Sequence, residues 1–165
     1  MGRRAFLGLG SNVGDRQAHL RDAIARLGAA AGVNFVGASR VYETEPIGVV
    51  EQAEFLNLVV EVEVEEGLSL RELLELVKRT EGEVGRRQRE RWGPREIDID
   101  VLLVGEERAA EEGFEVPHPR MWERAFVMAP LAELAPEVVG PGGETAAEMA
   151  TRLCKEQKVH ATIRL

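Results

Sequence analysis

Two aspartates, Asp98 and Asp100, stand one residue apart at the end of an arginine-rich segment. Residues 86–95 hold five arginines and one glutamate, a local charge of +4 in a chain whose net charge is −8. The guanidinium group presents a planar fork of donors that suits phosphate oxygens. Two neighbouring carboxylates suit a hard cation such as Mg²⁺. Together these residues predict a site for a metal-bound polyphosphate.

The spacing of the two aspartates also places them on one side of a strand. Because alternate residues of a strand face the same side, Asp98 and Asp100 share a face and repel each other unless a cation lies between them. Alternation on a solvated face also places charges in this way, as Glu61 and Glu63 illustrate. The nearby Trp92 favours the functional interpretation, because its ring offers a stacking surface and excludes water.

Hydrophobic periodicity predicts the elements that would hold these residues. Asp15 is a candidate helix cap, and Ser69 with Glu72 has the pattern of a capping box. The predicted elements are a strand at 4–9, a helix ending at Gly32, strands at 34–43 and 57–65, a helix after Ser69, a strand at 97–104, and helices near 124–134 and 144–155.

The order of the first six elements, β-α-β-β-α-β, is the ferredoxin-like arrangement. It predicts an α+β fold in which an antiparallel sheet carries helices on one face, with a C-terminal helical extension. Alternating valine and glutamate at 60–65 predicts that the other face is solvated. Residues 44–53 contain Pro46 and Gly48 and are expected to form a loop.

Length and composition indicate one globular domain that spans residues 1–165. The chain is 44% hydrophobic and 30% charged, and its apolar runs are too short for a membrane span. The acidic balance disfavours binding to nucleic acid or to anionic membranes. The single cysteine favours a reducing compartment, and we expect a cytoplasmic protein.

Two widespread nucleotide-binding motifs do not account for the phosphate site. Gly8, Gly10 and Gly14 fall one residue outside the Rossmann spacing, and the predicted sheet is antiparallel. A P-loop is excluded, because the sequence has no G-x-x-x-x-G-K-[ST] segment.

Residues 91–100, with the sequence RWGPREIDID, resemble the signature of the 6-hydroxymethyl-7,8-dihydropterin pyrophosphokinase family of folate biosynthesis. Other motifs of this family have counterparts in the same order along the chain. They are residues 8–12 (GLGSN), 42–48 (YETEPIG), 55–57 (FLN), 116–121 (VPHPRM) and 124–126 (RAF). Several motifs in one order argue against chance similarity.

The resemblance implies a reaction in which the β,γ-diphosphate of ATP passes to the pterin hydroxymethyl group and AMP is released. It implies two Mg²⁺ ions, held by Asp98 and Asp100, that bridge the ATP phosphates. The implied catalytic residues are Arg86, Arg95, Asp98 and Asp100. The implied ATP ligands are Arg86, Arg95, His118 and Arg124 at the phosphates, Leu74, Val101 and Phe114 around adenine, and Glu81 at the nucleoside.

The resemblance also implies a pterin site. Phe55 and Phe126 would sandwich the ring, and its edge would bond to Asn57 and to the backbone near Thr44 and Ile47. Trp92 would close over the site with its loop. An amide suits a pterin edge because it offers both a donor and an acceptor. No general base is identified, since positioning and charge neutralisation dominate phosphoryl transfer.

Three positions depart from the family pattern. Gln88 stands where a second loop arginine is common, so that either Arg87 or Arg89 would take its role. Glu45 replaces a common proline, and Phe55 lacks the hydroxyl group of the tyrosine that some members carry.

Two other functions are left open by the residues alone. A ferredoxin-like RNA-binding module would use the arginines, but it would need exposed aromatic residues on the central strands. Another Mg²⁺-dependent nucleotidyl or phosphoryl transferase is the second alternative, because D-x-D does not identify an acceptor. The expected partners are ATP and the pterin, with neither nucleic acid nor membrane. A monomer is expected, and a homo-oligomer is left open.

Overall fold

The computed structural model describes residues 2–44, 54–85, 96–111 and 113–165. Within these residues six strands form one antiparallel sheet and two more form a short hairpin. The elements, in chain order, are β1 (Gly2–Ser11), α1 (Arg16–Ala29), β2 (Val33–Ala38), β3 (Tyr42–Thr44), β4 (Phe55–Glu65), α2 (Leu70–Val84), β5 (Asp98–Val104), β6 (Ala109–Glu111), β7 (Phe114–Val116), a one-turn 3₁₀ helix (Met121–Glu123), α3 (Ala125–Leu134), α4 (Ala146–Leu153) and β8 (Val159–Ala161).

The predicted helix starts are confirmed by their caps. Asp15 Oδ1 accepts a hydrogen bond from the Ala18 N–H at 3.1 Å at the start of α1. Ser69 and Glu72 form the capping box of α2, because each side chain accepts from the other residue's backbone N–H. The end of α1 differs from the prediction. This helix stops at Ala29, and Gly32 lies in the following turn with a φ of +84°.

The path of the main sheet is β5-β1-β4-β3-β8, and β2 also pairs with β4. Because β1 is antiparallel to both β4 and β5, its C-terminal end lies beside the N-terminal ends of those two strands. The α+β fold with an antiparallel sheet is therefore confirmed, whereas the name ferredoxin-like stays a prediction.

Helices α1 and α2 cover one face of the sheet. They pack Leu20, Leu27 and Leu73 against alternate residues of the central strands, and the whole cluster is nearly free of solvent contact. The sheet residues on this face include Ala5, Leu7, Leu9, Val60, Val62, Val64, Ile97 and Ile99.

The opposite face is partly covered by helices, contrary to the prediction of helices on one face only. Phe6, Val59 and Leu102 on that face pack under the C-terminal extension, where Met128 and Leu131 of α3 are fully buried. Helix α3 is apolar around most of its circumference because it lies between the sheet and α4. Solvent reaches the far end of β4, where Glu63 is exposed.

Short strands account for the other differences. The strand predicted at 34–43 is divided into β2 and β3, which pair with separate stretches of β4. The C-terminal β8 was not predicted, because three residues are too few to show a period of two. None of the helices in the described part of the chain combines the length and the apolar character needed to cross a membrane.

Candidate active site

The register of the sheet places a glycine beside each of the two aspartates and a residue of β4 beyond each glycine. Asp98 pairs with Gly10, and Gly10 pairs on its other side with Asn57. The next row on the same face is Asp100, Gly8 and Val59. Residues directly opposite each other on neighbouring strands face the same side. The predicted shared face of Asp98 and Asp100 is therefore observed.

Gly8 and Gly10 keep the middle of this surface open. A Cβ atom built on Gly10 would lie 2.8 Å from Asn57 Oδ1, closer than real Cβ contacts allow. On Gly8 the nearest atoms would be those of Leu102 at 3.5 Å, an ordinary van der Waals distance. In the sequence these glycines entered the comparison with the Rossmann spacing and the family resemblance, and neither gave them a place in the site. Because the two glycines are two residues apart in β1, their spacing indicates that they share a face.

The open surface is the floor of a cleft with an empty volume of about 770 Å³, its open mouth included. Strands β1, β4 and β5 form the floor, and the beginning of α3 forms a wall. The residues that line it are Gly8, Leu9, Gly10, Thr44, Phe55, Asn57, Leu58, Val59, Asp98, Asp100, Leu102, Arg124, Phe126 and Val127. The cleft thus brings together seven of the predicted site residues: Thr44, Phe55, Asn57, Asp98, Asp100, Arg124 and Phe126.

The two carboxylates are electrostatically strained in the absence of a cation. Burial and the adjacent charge of Asp98 raise the pKa of Asp100 to about 7, although Arg124 opposes this shift. In the described residues there is no group of three or more His, Cys, Asp and Glu side chains arranged to hold a metal. A pair of carboxylates is nevertheless a donor set that suits Mg²⁺ when substrate phosphates supply further oxygens.

Arg124 and His118 provide cationic and hydrogen-bonding groups near the aspartates. Arg124 is the residue before α3. Burial lowers the pKa of its guanidinium, and the negative charge of Asp100 opposes this shift. His118 is held by its backbone N–H, which donates to the Leu102 carbonyl at 3.0 Å. Burial and the nearby Arg124 lower the pKa of His118 and favour a neutral imidazole. Its Nδ1 accepts from the Arg120 N–H at 3.3 Å, which leaves the ring proton on Nε2.

Two aromatic rings and a buried hydrogen bond lie at the other end of the cleft. Phe55 comes from the sheet and Phe126 from α3, and both are half-buried. The Arg124 guanidinium carbon lies 5.5 Å from the Phe126 ring centroid. Asn57 Nδ2 donates to Thr44 Oγ1 at 2.9 Å, and both residues are buried. This bond turns Asn57 Oδ1 towards the space above Gly10.

Four predicted residues lie away from the cleft. Val101 is buried in the cluster beneath α1 and α2, and Leu74 and Phe114 pack against that cluster. Glu81 is only 4% exposed, and its Oε2 accepts from the Ile99 N–H at 2.7 Å. Ile47, Arg86, Trp92 and Arg95 lie outside the described residues, as do Arg87 and Arg89.

Comparison with known proteins identifies the family. The sequence model of the 7,8-dihydro-6-hydroxymethylpterin-pyrophosphokinase (HPPK) family matches residues 6–136. The chain belongs to the HPPK family. The matched region contains every residue that lines the cleft, whereas α4 and β8 of this HPPK chain lie beyond it.

Two bacterial relatives are similar over most of their length. The 2-amino-4-hydroxy-6-hydroxymethyldihydropteridine pyrophosphokinase of Bacillus subtilis (strain 168) is 48% identical over 138 residues, 84% of this chain and 81% of that protein. The protein of the same name from Methylorubrum extorquens is 45% identical over 150 residues, 91% of this chain and 93% of that protein.

A solved structure shares the fold. The HPPK-DHPS of Plasmodium falciparum, wild type with SDX-DHP, aligns with a TM-score of 0.73 at 14% identity. The alignment covers 94% of the present chain but only 45% of that chain. The HPPK fold therefore persists at an identity too low to carry any detail of the site.

Proposed function

We propose that this chain transfers diphosphate from ATP to the hydroxymethyl group of 6-hydroxymethyl-7,8-dihydropterin and releases AMP, and that the cleft holds both reactants. The observation that carries the proposal is the row of Asp98, Gly10 and Asn57 across three strands. It sets the Asp98 carboxylate opposite a hydrogen-bonding amide, with Asp100 in the next row on the same face, in a chain that belongs to the HPPK family.

The pterin occupies the end of the cleft that Phe55 and Phe126 border. Stacking between these rings uses the flat face of the pterin, for which aromatic pairs are well suited. Asn57 bonds the edge of the ring, and Thr44 keeps the Asn57 amide in one orientation through the 2.9 Å hydrogen bond. The family resemblance adds two roles to this proposal. The backbone near Ile47 would bond the edge of the pterin, and Trp92 would close over the site with its loop.

Asp98 and Asp100 would hold two Mg²⁺ ions together with the ATP phosphates. The donor set fits, because two carboxylates on one face of the sheet offer the oxygen ligands that Mg²⁺ prefers. When bound, Mg²⁺ would supply charge neutralisation at the polyphosphate. The beginning of β5 is held in the sheet by its pairing with β1, so the two carboxylates are in place before the reactants arrive.

Arg124 and His118 contact the phosphates from the other side. The Arg124 guanidinium attracts phosphate oxygens, and the neutral imidazole of His118 donates from Nε2. Arg86 and Arg95 complete the phosphate site in the sequence-based proposal. These groups act by positioning and charge neutralisation, which are the main contributions to phosphoryl transfer.

The adenine is proposed to lie at the outer edge of β5. Leu74, Val101 and Phe114 lie on the opposite face from the aspartates, so an ATP molecule that contacts both sets extends around this edge. Strand β7, which carries Phe114, packs against β5. The assignment of these three residues rests on the family resemblance.

The remaining expectations are part of the same proposal. We infer one domain over residues 1–165, a cytoplasmic monomer, and no nucleic-acid or membrane partner. The RNA-binding alternative is disfavoured, because Phe6 on the central strand β1 is 3% exposed and the C-terminal helices pack over it.

The test is the identity of the nucleotide product. Incubation with ATP, Mg²⁺ and 6-hydroxymethyl-7,8-dihydropterin is expected to yield AMP in equal amount to a diphosphorylated pterin. The matched control is 6-methyl-7,8-dihydropterin, which has the same ring but no hydroxyl acceptor and should yield no AMP. Formation of ADP, or nucleotide turnover that does not depend on the hydroxyl group, would contradict the proposal.

A further inference from the structure

A buried glutamate is attached to the strand that carries the two aspartates. Glu81 lies in the last turns of α2, and its Oε2 accepts from the Ile99 N–H at 2.7 Å. Ile99 is the residue between Asp98 and Asp100. The contact therefore joins α2 to the middle of the D-x-D segment rather than to one of its side chains.

The position of β5 explains why this backbone group needs a partner. Among the described residues β5 pairs with β1 on one side, and it ends the path of the main sheet. An edge strand presents alternate N–H groups away from its neighbour, without a ladder partner. The Glu81 carboxylate takes the place of an adjacent strand at this point.

Burial of a carboxylate costs stability, so the presence of Glu81 at a buried position needs another explanation. Only 4% of Glu81 is exposed, and Lys78 Nζ, at 3.9 Å from Oε1, belongs to a side chain that is 75% exposed and is screened by solvent. An apolar side chain would fill the same space but would leave the Ile99 N–H without an acceptor. The Glu81 oxygen satisfies this N–H and holds the peptide in a fixed direction.

We propose that Glu81 is a positioning residue, which clamps the Ile99 peptide and so fixes the relative placement of the Asp98 and Asp100 carboxylates. This inference rests on the proposed function, because it assigns those carboxylates to metal-bound ATP. It differs from the role that the family resemblance implies, which is a direct contact between Glu81 and the nucleoside. The outer partners of metal ligands commonly change metal affinity by about 10- to 100-fold when they are removed.

The test compares two substitutions of similar size. Glu81→Gln keeps an oxygen that can accept from Ile99, whereas Glu81→Met has none; Glu83→Gln, on an exposed position of the same helix, is the control. Binding of Mn²⁺ in the presence of α,β-methylene ATP is measured by water proton relaxation. Hydrogen exchange of the Ile99 amide and the Kd for the pterin are measured on the same proteins.

We expect Glu81→Met to weaken Mn²⁺ binding about tenfold and to speed exchange at Ile99 at least tenfold, with the pterin Kd unchanged. Glu81→Gln and Glu83→Gln should stay within about threefold of the parent chain in all three measurements. Unchanged exchange at Ile99 in Glu81→Met would overturn the proposal. So would a Glu81→Gln protein as impaired as Glu81→Met, because the charge and not the acceptor would then matter.

Two other outcomes of these experiments can also be interpreted. If Glu81→Met does not fold, Glu81→Gln decides alone: parental Mn²⁺ affinity supports the clamp, and a tenfold loss overturns it. If the parent chain makes no AMP from the pterin, the proposed function fails. Metal binding and Ile99 exchange would still decide the role of Glu81, because neither measurement depends on turnover.

Discussion

The two faces of the sheet use alternate residues of the same three strands. On the face beneath α1 and α2, Leu7, Val60 and Val62 are fully buried in a continuous apolar cluster. On the face with the cleft, the neighbouring residues in the same strands include Gly8, Gly10 and Asn57. The first face is packed for stability, whereas the second gives up side-chain packing for open space and for two carboxylates that repel each other.

This contrast indicates that substitutions on the two faces should fail in different ways. Changes on the packed face should lower the free energy of unfolding and leave substrate binding intact. Changes on the cleft face should alter binding or turnover and leave the fold intact or more stable.

The largest effect is expected for Asp98→Ala. Removal of one of the two carboxylates proposed to hold the metal should lower kcat/KM by about 10³-fold or more, because it would remove several kcal/mol of charge stabilisation. Pterin binding, measured by fluorescence titration, should change little. The measurement is AMP formation under saturating Mg²⁺.

Leu7→Ala is the matched change on the packed face. Leu7 is 0% exposed, and its truncation should cost about 3 kcal/mol in the free energy of unfolding by urea. The folded fraction should keep the parental pterin Kd. A near-normal rate in Asp98→Ala, or a lost pterin site in Leu7→Ala, would remove the distinction between the faces.

The second prediction concerns the pH dependence of stability. The pKa of Asp100 is about 7 in the folded chain and about 3.9 for an ordinary aspartate in the unfolded chain. Between these values the folded state holds the proton more often, so the free energy of unfolding falls as the pH rises from about 4 to 7. Asp100→Asn removes the charge and should be more stable than the parent chain at pH 7.5 without metal, by up to about 4 kcal/mol.

Urea unfolding at several pH values checks this expectation. The gain should shrink as the pH falls and disappear below about pH 3, where the Asp100 carboxyl is protonated in both states of the parent chain. The matched control is Asp22→Asn, which removes the charge of an exposed aspartate that pairs with Arg26. Equal stability of Asp100→Asn and the parent at pH 7.5 would show that the aspartate pair is not strained.

The two-residue period of side chains in a strand explains which differences between the two faces of the sheet could be predicted from the sequence. A period of two placed Asp98 and Asp100 on one face, and the capping box at Ser69 placed the start of α2. The side on which α3 packs was not predictable in this way. Helical periodicity shows which face of a helix is apolar, but α3 is apolar nearly all around, and nothing local chooses its side of the sheet.

Other parts of the site depend on contacts between distant residues. The Glu81 carboxylate meets the Ile99 peptide across a span of 18 residues, and a backbone N–H leaves no trace in the sequence. The roles of Gly8 and Gly10 became visible only when the register set each of them between an aspartate of β5 and a residue of β4. The family resemblance placed the remaining residues by motif, without such contacts.

The third and smallest expected effect distinguishes the two glycines of the floor. Gly10→Ala places a methyl group 2.8 Å from Asn57 Oδ1, whereas Gly8→Ala meets Leu102 at 3.5 Å. Displacement of the Asn57 amide should weaken pterin binding about tenfold in Gly10→Ala. Gly8→Ala should stay within about threefold, because its methyl group makes an ordinary contact. Isothermal titration with the pterin compares them, and equal losses in both variants would contradict a floor set by Asn57.

The central claim is that the reactants bind to the glycine-floored face of the sheet and not to the packed face. Amide chemical shifts of the ¹⁵N-labelled chain during titration with 6-hydroxymethyl-7,8-dihydropterin test it directly. The account predicts that the largest changes occur at Gly10, Asn57 and Phe126, with small changes at Leu20 and Leu73 beneath the opposite face. Largest changes in α1 and α2, with Gly10 and Asn57 unaffected, would contradict it.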